Sequence, residues 1–167
     1  ALAIHPLGLI DWSNGEKDQQ IILATLKKMK DYGPDYWTGY TYAWYANMLA
    51  RAFKGEEAAE ALRVFASCFC LKNLFHANGD QSGTGKSLFT YRPFTLEGNF
   101  AFAAAVQEML LQSHTGVVRG FPAIPEEWKD VAFTDLRARG GFLVSAERKG
   151  GKVVQVKIVS EKGGTLH

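Results

Sequence analysis

The hydrophobic periodicity of this chain changes once, near His114, and that change limits the fold more than any other feature. Before it, apolar residues recur at the three- and four-residue spacing of helices. After it, β-branched residues alternate with polar ones, and glycines separate the runs. The expected organisation is therefore a helical part over residues 1–114 and the start of a small antiparallel β-domain over residues 115–167.

Residues 16–30 place Ile21, Ile22, Thr25, Leu26 and Met29 on one stripe, the signature of an amphipathic helix. Asn14-Gly15 precedes it as a turn, and Tyr32-Gly33-Pro34 stops it. A second helix is expected over residues 38–53, apolar on more than one side through Tyr42, Trp44, Tyr45, Met48 and Leu49. A helix apolar nearly all round is buried, which places this one in the inner layer of something larger. The same reading expects a large exposed apolar patch around Trp44 and Met48. A third helix is expected over residues 56–72 and a fourth over 97–113, separated by a long polar loop over 73–93. In the second part, residues 141–147 and 152–159 flank Arg148-Lys-Gly-Gly151 and read as a β-hairpin. No partner strand to close a sheet is evident before His167. Both ends look cut, so the chain reads as a fragment.

Composition narrows the function classes. The 19 basic and 17 acidic residues are well mixed, and the net charge is +2. There is no basic block, so nothing favours nucleic acid or an anionic membrane as a partner. No apolar run approaches the ~20 residues that a membrane span needs. Cys68 and Cys70 lie two apart in a helical stretch and point to different faces, which disfavours a mutual bridge. They read as buried free thiols, without the further ligands of a zinc site. His5, His76 and His167 show no metal-ligand spacing with one another, and no metal or organic cofactor is expected. His114 reads as a structural histidine near the junction, and Trp128 as packing there.

The segment Asp80-Gln-Ser-Gly-Thr-Gly-Lys-Ser87 imitates a phosphate-binding loop. Asp80 occupies the position of the first glycine, and a carboxylate there would repel phosphate. The segment is read as a glycine-rich loop. More informative is Tyr91-Arg-Pro-Phe-Thr-Leu-Glu-Gly-Asn-Phe100, a proline-stiffened aromatic loop that delivers Glu97 to the first turn of a helix. Free N–H groups and the positive end of the helix dipole favour a carboxylate there, and an ionised carboxylate can act as a general base. Gly98 leaves room for a ligand, and Asn99 offers both a donor and an acceptor. Acidic residues are also simply common in first helical turns, so composition alone leaves Glu97 as either a base or a helix cap. Trp37 is open in the same way: it either stacks on a sugar or fills the interior.

Glu97-Gly-Asn-Phe100, followed by Ala-Ala-Val-Gln-Glu-Met-Leu-Leu-Gln-Ser-His-Thr-Gly116, is similar to a signature of the family 95 glycoside hydrolases, the inverting α-L-fucosidases and relatives. The resemblance continues through Phe121-Pro-Ala-Ile-Pro-Glu-Glu-Trp128 and Leu136-Arg-Ala-Arg-Gly-Gly-Phe142. Upstream it includes Trp37-Thr-Gly-Tyr-Thr-Tyr-Ala-Trp44 and Asn47-Met-Leu-Ala-Arg51. The resemblance implies the last helices of an (α/α)6 toroid running into a β-domain, an oligosaccharide or glycan substrate, and a secreted or periplasmic protein. It also implies that Glu97 is the counterpart of the aspartate that draws a proton from water. The family's general acid, a glutamate, and its two assisting asparagines have no counterpart in residues 1–167. Tyr91 stands where the family usually has a substrate-contacting histidine, and Tyr91, Asn99 and Trp37 are the expected sugar contacts. The departures at Glu97 and Tyr91 admit two alternatives: a related L-sugar such as an α-L-galactoside, and a non-catalytic glycan-binding or structural segment.

Overall fold

The computed structural model describes residues 1–166; His167, which shows no metal-ligand spacing with His5 or His76, lies outside the described residues. Four helices, α1 (Glu16–Tyr32), α2 (Gly39–Arg51), α3 (Gly55–Cys68) and α4 (Leu96–Leu110), come first. They are followed by β1 (Leu111–Gln112), β2 (Arg119–Gly120), β3 (Val131–Ala138), β4 (Phe142–Lys149) and β5 (Lys152–Ser160). The ends of α1 and the start of α2 are set by local capping. Asp11 accepts a hydrogen bond from the Ser13 amide to cap the short turn before α1, and Asp18 in the first turn of α1 accepts from the Asn14 side chain. Thr38 and Thr41 form a capping box at the start of α2. The amide of Gly33 closes the last turn of α1 onto the Lys30 carbonyl.

The helices α2 and α4 lie side by side and run parallel. At one end Gly39 and Gly98 both abut the ring of His76, and at the other Arg51 pairs with Glu108 at 2.9 Å. The return helix α3 runs antiparallel to them, starting against Ala123 at the Arg51 end and bringing Phe65 and Phe69 back to the His76 end. Parallel inner helices joined by antiparallel returns are the repeating build of an α/α toroid. The core lies between these helices. Met48 and Leu49 of α2, Leu62 of α3 and Met109 of α4 pack with Ile4, Ile22 and Leu26. Each such side chain contributes roughly 1.5–3 kcal/mol on burial.

The expected apolar patch on the second helix is therefore corrected. Met48 is fully buried, and Trp44 is half-buried with its indole N–H donating to the His5 carbonyl at 3.0 Å. The N-terminal segment and α4 cover that face. On β5, by contrast, Val153, Val154 and Val156 are each more than half exposed.

The hairpin of β4 and β5 turns through Gly150-Gly151, as expected. The missing partner strand lies upstream, as β3, which pairs with the other edge of β4 in the order β3-β4-β5. Its alternation is hidden by a bulge. Phe133 pairs with Ala146 but Leu136 with Val144, so one extra residue shifts the phase mid-strand. Asp135, at φ +54°, exchanges hydrogen bonds with Ser145 there. Phe133, Phe142, Val144 and Leu111 form the core of this part.

The two parts are tied together. Gln112, almost fully buried, donates to the Ala50 carbonyl at the end of α2. The imidazole of His114 bonds Asp11 at 2.6 Å. Trp128 packs against the helical core. Helix α4 stops at Leu110, because Leu111 turns extended and pairs with Gly120 instead of continuing the helix. Cys68 is a buried free thiol, whereas Cys70 is only half-buried. No helix among the described residues is long and apolar enough to cross a membrane.

Candidate active site

The polar segment between α3 and α4 is an ordered strap. The amides of Ala77, Asn78, Gly79 and Asp80 donate in turn to the carbonyls of Phe69, Pro93, Tyr91 and Phe89, so the strap folds back on itself. Asp80 knots its tip. Its buried carboxylate accepts from the Ser82 amide at 2.7 Å, the Ser82 hydroxyl at 2.6 Å and the Lys86 amide at 2.8 Å. Burial pushes the Asp80 carboxyl up, but these hydrogen bonds outweigh it and hold it below its ordinary value. The carboxylate that rules out a phosphate loop is thus what organises this one. The Tyr42 hydroxyl reaches the strap from α2, donating to the Lys86 carbonyl at 2.8 Å.

The strap leads into Thr95, the N-cap of α4, and so places Glu97 in the first helical turn. Glu97 is exposed and takes part in none of the ion pairs among the described residues. It lies at the end of the helical layer where α2 and α4 both begin, and several rings of the strap and of α4 are exposed. Tyr91, 43% exposed, lies edge-on to Phe89 at 5.2 Å. Phe94 stacks on Phe75 at 4.8 Å with both rings partly open to solvent, and Phe100 is exposed one turn into α4.

Asn99 is held on both sides by main chain. Its carbonyl oxygen accepts from the His76 amide at 2.9 Å, and its NH2 donates to the Leu74 carbonyl at 2.9 Å. It fixes the strap to α4. Trp37 packs edge-on to Tyr42 and Tyr45, at 5.0 and 5.2 Å. It also lines a cleft of about 470 Å³ between the end of α1, α2 and α3, rimmed by Glu56, Glu57 and Glu60. The lining of that cleft contains neither Glu97 nor Tyr91 nor Asn99. The structure thus places Glu97 and Asn99 in the first turns of α4 and Tyr91 on the strap that leads into it, and puts Trp37 in an aromatic cluster with Tyr42 and Tyr45.

Reading the sequence missed His76 and the Phe75–Phe94 pair. His76 is fully buried at the root of the site, with its ring parallel to Phe65 at 5.3 Å. The signal available was Gly39 and Gly98, each a glycine at the start of a helix, where a side chain would collide with that ring. No group of three or more potential metal ligands occurs among the described residues.

Parallel helices joined by an antiparallel return, with a small antiparallel sheet following them, have the build of part of an α/α toroid that runs into a β-domain. Residues 2–110 match the glycosyl hydrolase family 95 catalytic domain, and residues 112–167 match the glycoside hydrolase family 95 C-terminal domain. The chain belongs to glycoside hydrolase family 95. It is similar to alpha-L-fucosidase 2 of Arabidopsis thaliana, with 36% identity over 141 residues, which cover 83% of this chain and 16% of that relative.

Proposed function

We propose that this chain is the segment of an exo-acting, inverting glycoside hydrolase that carries the general base for cleavage of a terminal α-L-fucose-like sugar. The observation that carries the reading is Glu97, an exposed carboxylate in the first turn of an inner helix, directly before Gly98-Asn99 within the matched catalytic domain. The similarity to an alpha-L-fucosidase supports the sugar class. Glu97 takes a proton from a water molecule as that water attacks the anomeric carbon opposite the leaving group. A carboxylic acid from the rest of the protein, ~6.5–9.5 Å away, protonates the departing oxygen. Residues 1–114 form the catalytic side of this unit and residues 115–167 its β-domain. Tyr91 offers a ring face and a hydroxyl at the rim, and Asn99 holds the base's helix turn in register.

Direct displacement by water inverts the anomeric centre. Proton NMR of the complete protein acting on an aryl α-L-fucoside should show the β-anomer first, with the α-anomer growing in only by mutarotation. Initial release of the α-anomer would overturn the inverting assignment. Turnover of an α-L-galactoside but not of a fucoside would replace the sugar, and turnover of neither would leave a glycan-binding module.

A further inference from the structure

We propose that His76, as the neutral imidazole protonated on Nδ1, is the positioning residue that sets where Glu97 stands. The proposal rests on Glu97 acting as the base. The Nδ1 atom lies 2.8 Å from the Thr95 carbonyl oxygen and 2.9 Å from the Thr95 hydroxyl. A carbonyl can only accept, so Nδ1 carries the proton. The Thr95 hydroxyl in turn donates to the Asn78 side-chain oxygen at 3.0 Å, which leaves its lone pairs toward the ring. Nε2 is buried against Gly39 without a hydrogen-bond partner.

The ring is therefore fixed from every side. Phe65 of α3 stacks on it, Gly39 of α2 meets its Nε2 edge, and Gly98 of α4 meets its Nδ1 edge. Its own main-chain amide is held by Asn99. Thr95 and Gly98 bracket Glu97 in sequence, so both peptide segments that orient the Glu97 Cα are in contact with one imidazole. Thr95 would ordinarily cap α4 with its hydroxyl. Here the hydroxyl is turned to His76 and Asn78, and α4 has no side-chain cap. The helix start is held by His76 instead, which couples the position of the carboxylate to three helices at once.

Two variants of the complete protein separate this from ring packing. His76→Asn keeps a donor at the Nδ1 position but loses the ring. His76→Phe keeps the ring against Phe65 but loses the donor. With an aryl α-L-fucoside as probe, His76→Phe should lower kcat by roughly 10–10²-fold with KM nearly unchanged, because a misplacement of about 1 Å has that effect. His76→Asn should retain more kcat than His76→Phe despite a lower melting temperature. The reverse order would overturn the proposal, because a ring that only fills space is best replaced by Phe. Should both variants fail to fold, nitrogen NMR of the unmodified protein decides: a protonated Nδ1 beside a bare Nε2 supports the proposal, and any other state overturns it. Glu97→Gln measured alongside keeps the two failures apart. An active Glu97→Gln protein removes the base itself, whereas an inactive one beside a fully active His76→Phe removes only the positioning role.

Discussion

His76 and His5 are both kept from charging by burial. The His76 ring is desolvated, which lowers its pKa despite the bond to the Thr95 carbonyl and the nearby negative charge of Glu97. His5 is pushed down from 6.5 to about 4, first by burial and then by the positive charge of Arg51, with Glu108 opposing and His114 adding slightly. In both cases the folded value lies below the unfolded one. The unfolded chain thus takes up protons first as pH falls, and stability drops with it. The melting temperature should be level above about pH 7 and should decline as pH falls from 6.5 to about 4, the window set by His5. Asp11 adds to the loss only below its ordinary value of 3.8, because hydrogen bonds from Ser13 and His114 outweigh the upward push of burial. Calorimetric melts across this range check the sign, and a melting temperature that rises on acidification would contradict it.

At the scale of elements, the four helices were legible from local patterns, although α3 ends at Cys68 and α4 at Leu110, short of residues 72 and 113 to which the patterns run. The stripe of α1 and the turn at Gly33 that ends it are local features. Strand β3 was not legible, because the bulge at Asp135 places Phe133 and Leu136 on one face three residues apart, and a period of two does not survive that. The strap between α3 and α4 read only as a loop, since its order comes from main-chain bonds and from one buried carboxylate, Asp80. Glu97 could be read from its motif and helix position. His76 could not, because its partners Gly39, Phe65 and Thr95 come from distant parts of the chain and meet only in the fold. The element with the clearest solution consequence is β5, which among the described residues has only β4 beside it. Val156 and Ile158 pair with Ala146 and Val144, two buried residues of β4, yet remain open themselves. An apolar edge of this kind pairs with further chains. Sedimentation velocity of the 167-residue chain should show concentration-dependent association, which Val156→Lys with Ile158→Lys should largely remove. An unchanged distribution in the double variant would place the contact elsewhere.

At the scale of the whole molecule, this chain spans 16% of the length of its plant relative. On our reading it carries the proton acceptor of a two-carboxylate reaction whose proton donor comes from other residues of the complete protein. The inner ends of α2 and α4 hold Glu97 at one end of the helical layer. At the opposite end the Arg51–Glu108 pair and the His114–Asp11 bond tie that layer to the segments around it. Such a division separates chemistry from stability, and Glu97→Gln in the complete protein tests it most directly. The amide keeps size and much of the hydrogen bonding, so substrate binding should persist while proton abstraction is lost. The account predicts a fall in kcat of ~10²–10⁴-fold with KM nearly unchanged. It also predicts a melting temperature altered by no more than the ~0.3–1 kcal/mol of one exposed charge at a helix start. A kcat that survives while the melting temperature drops would contradict it and make Glu97 a helix cap.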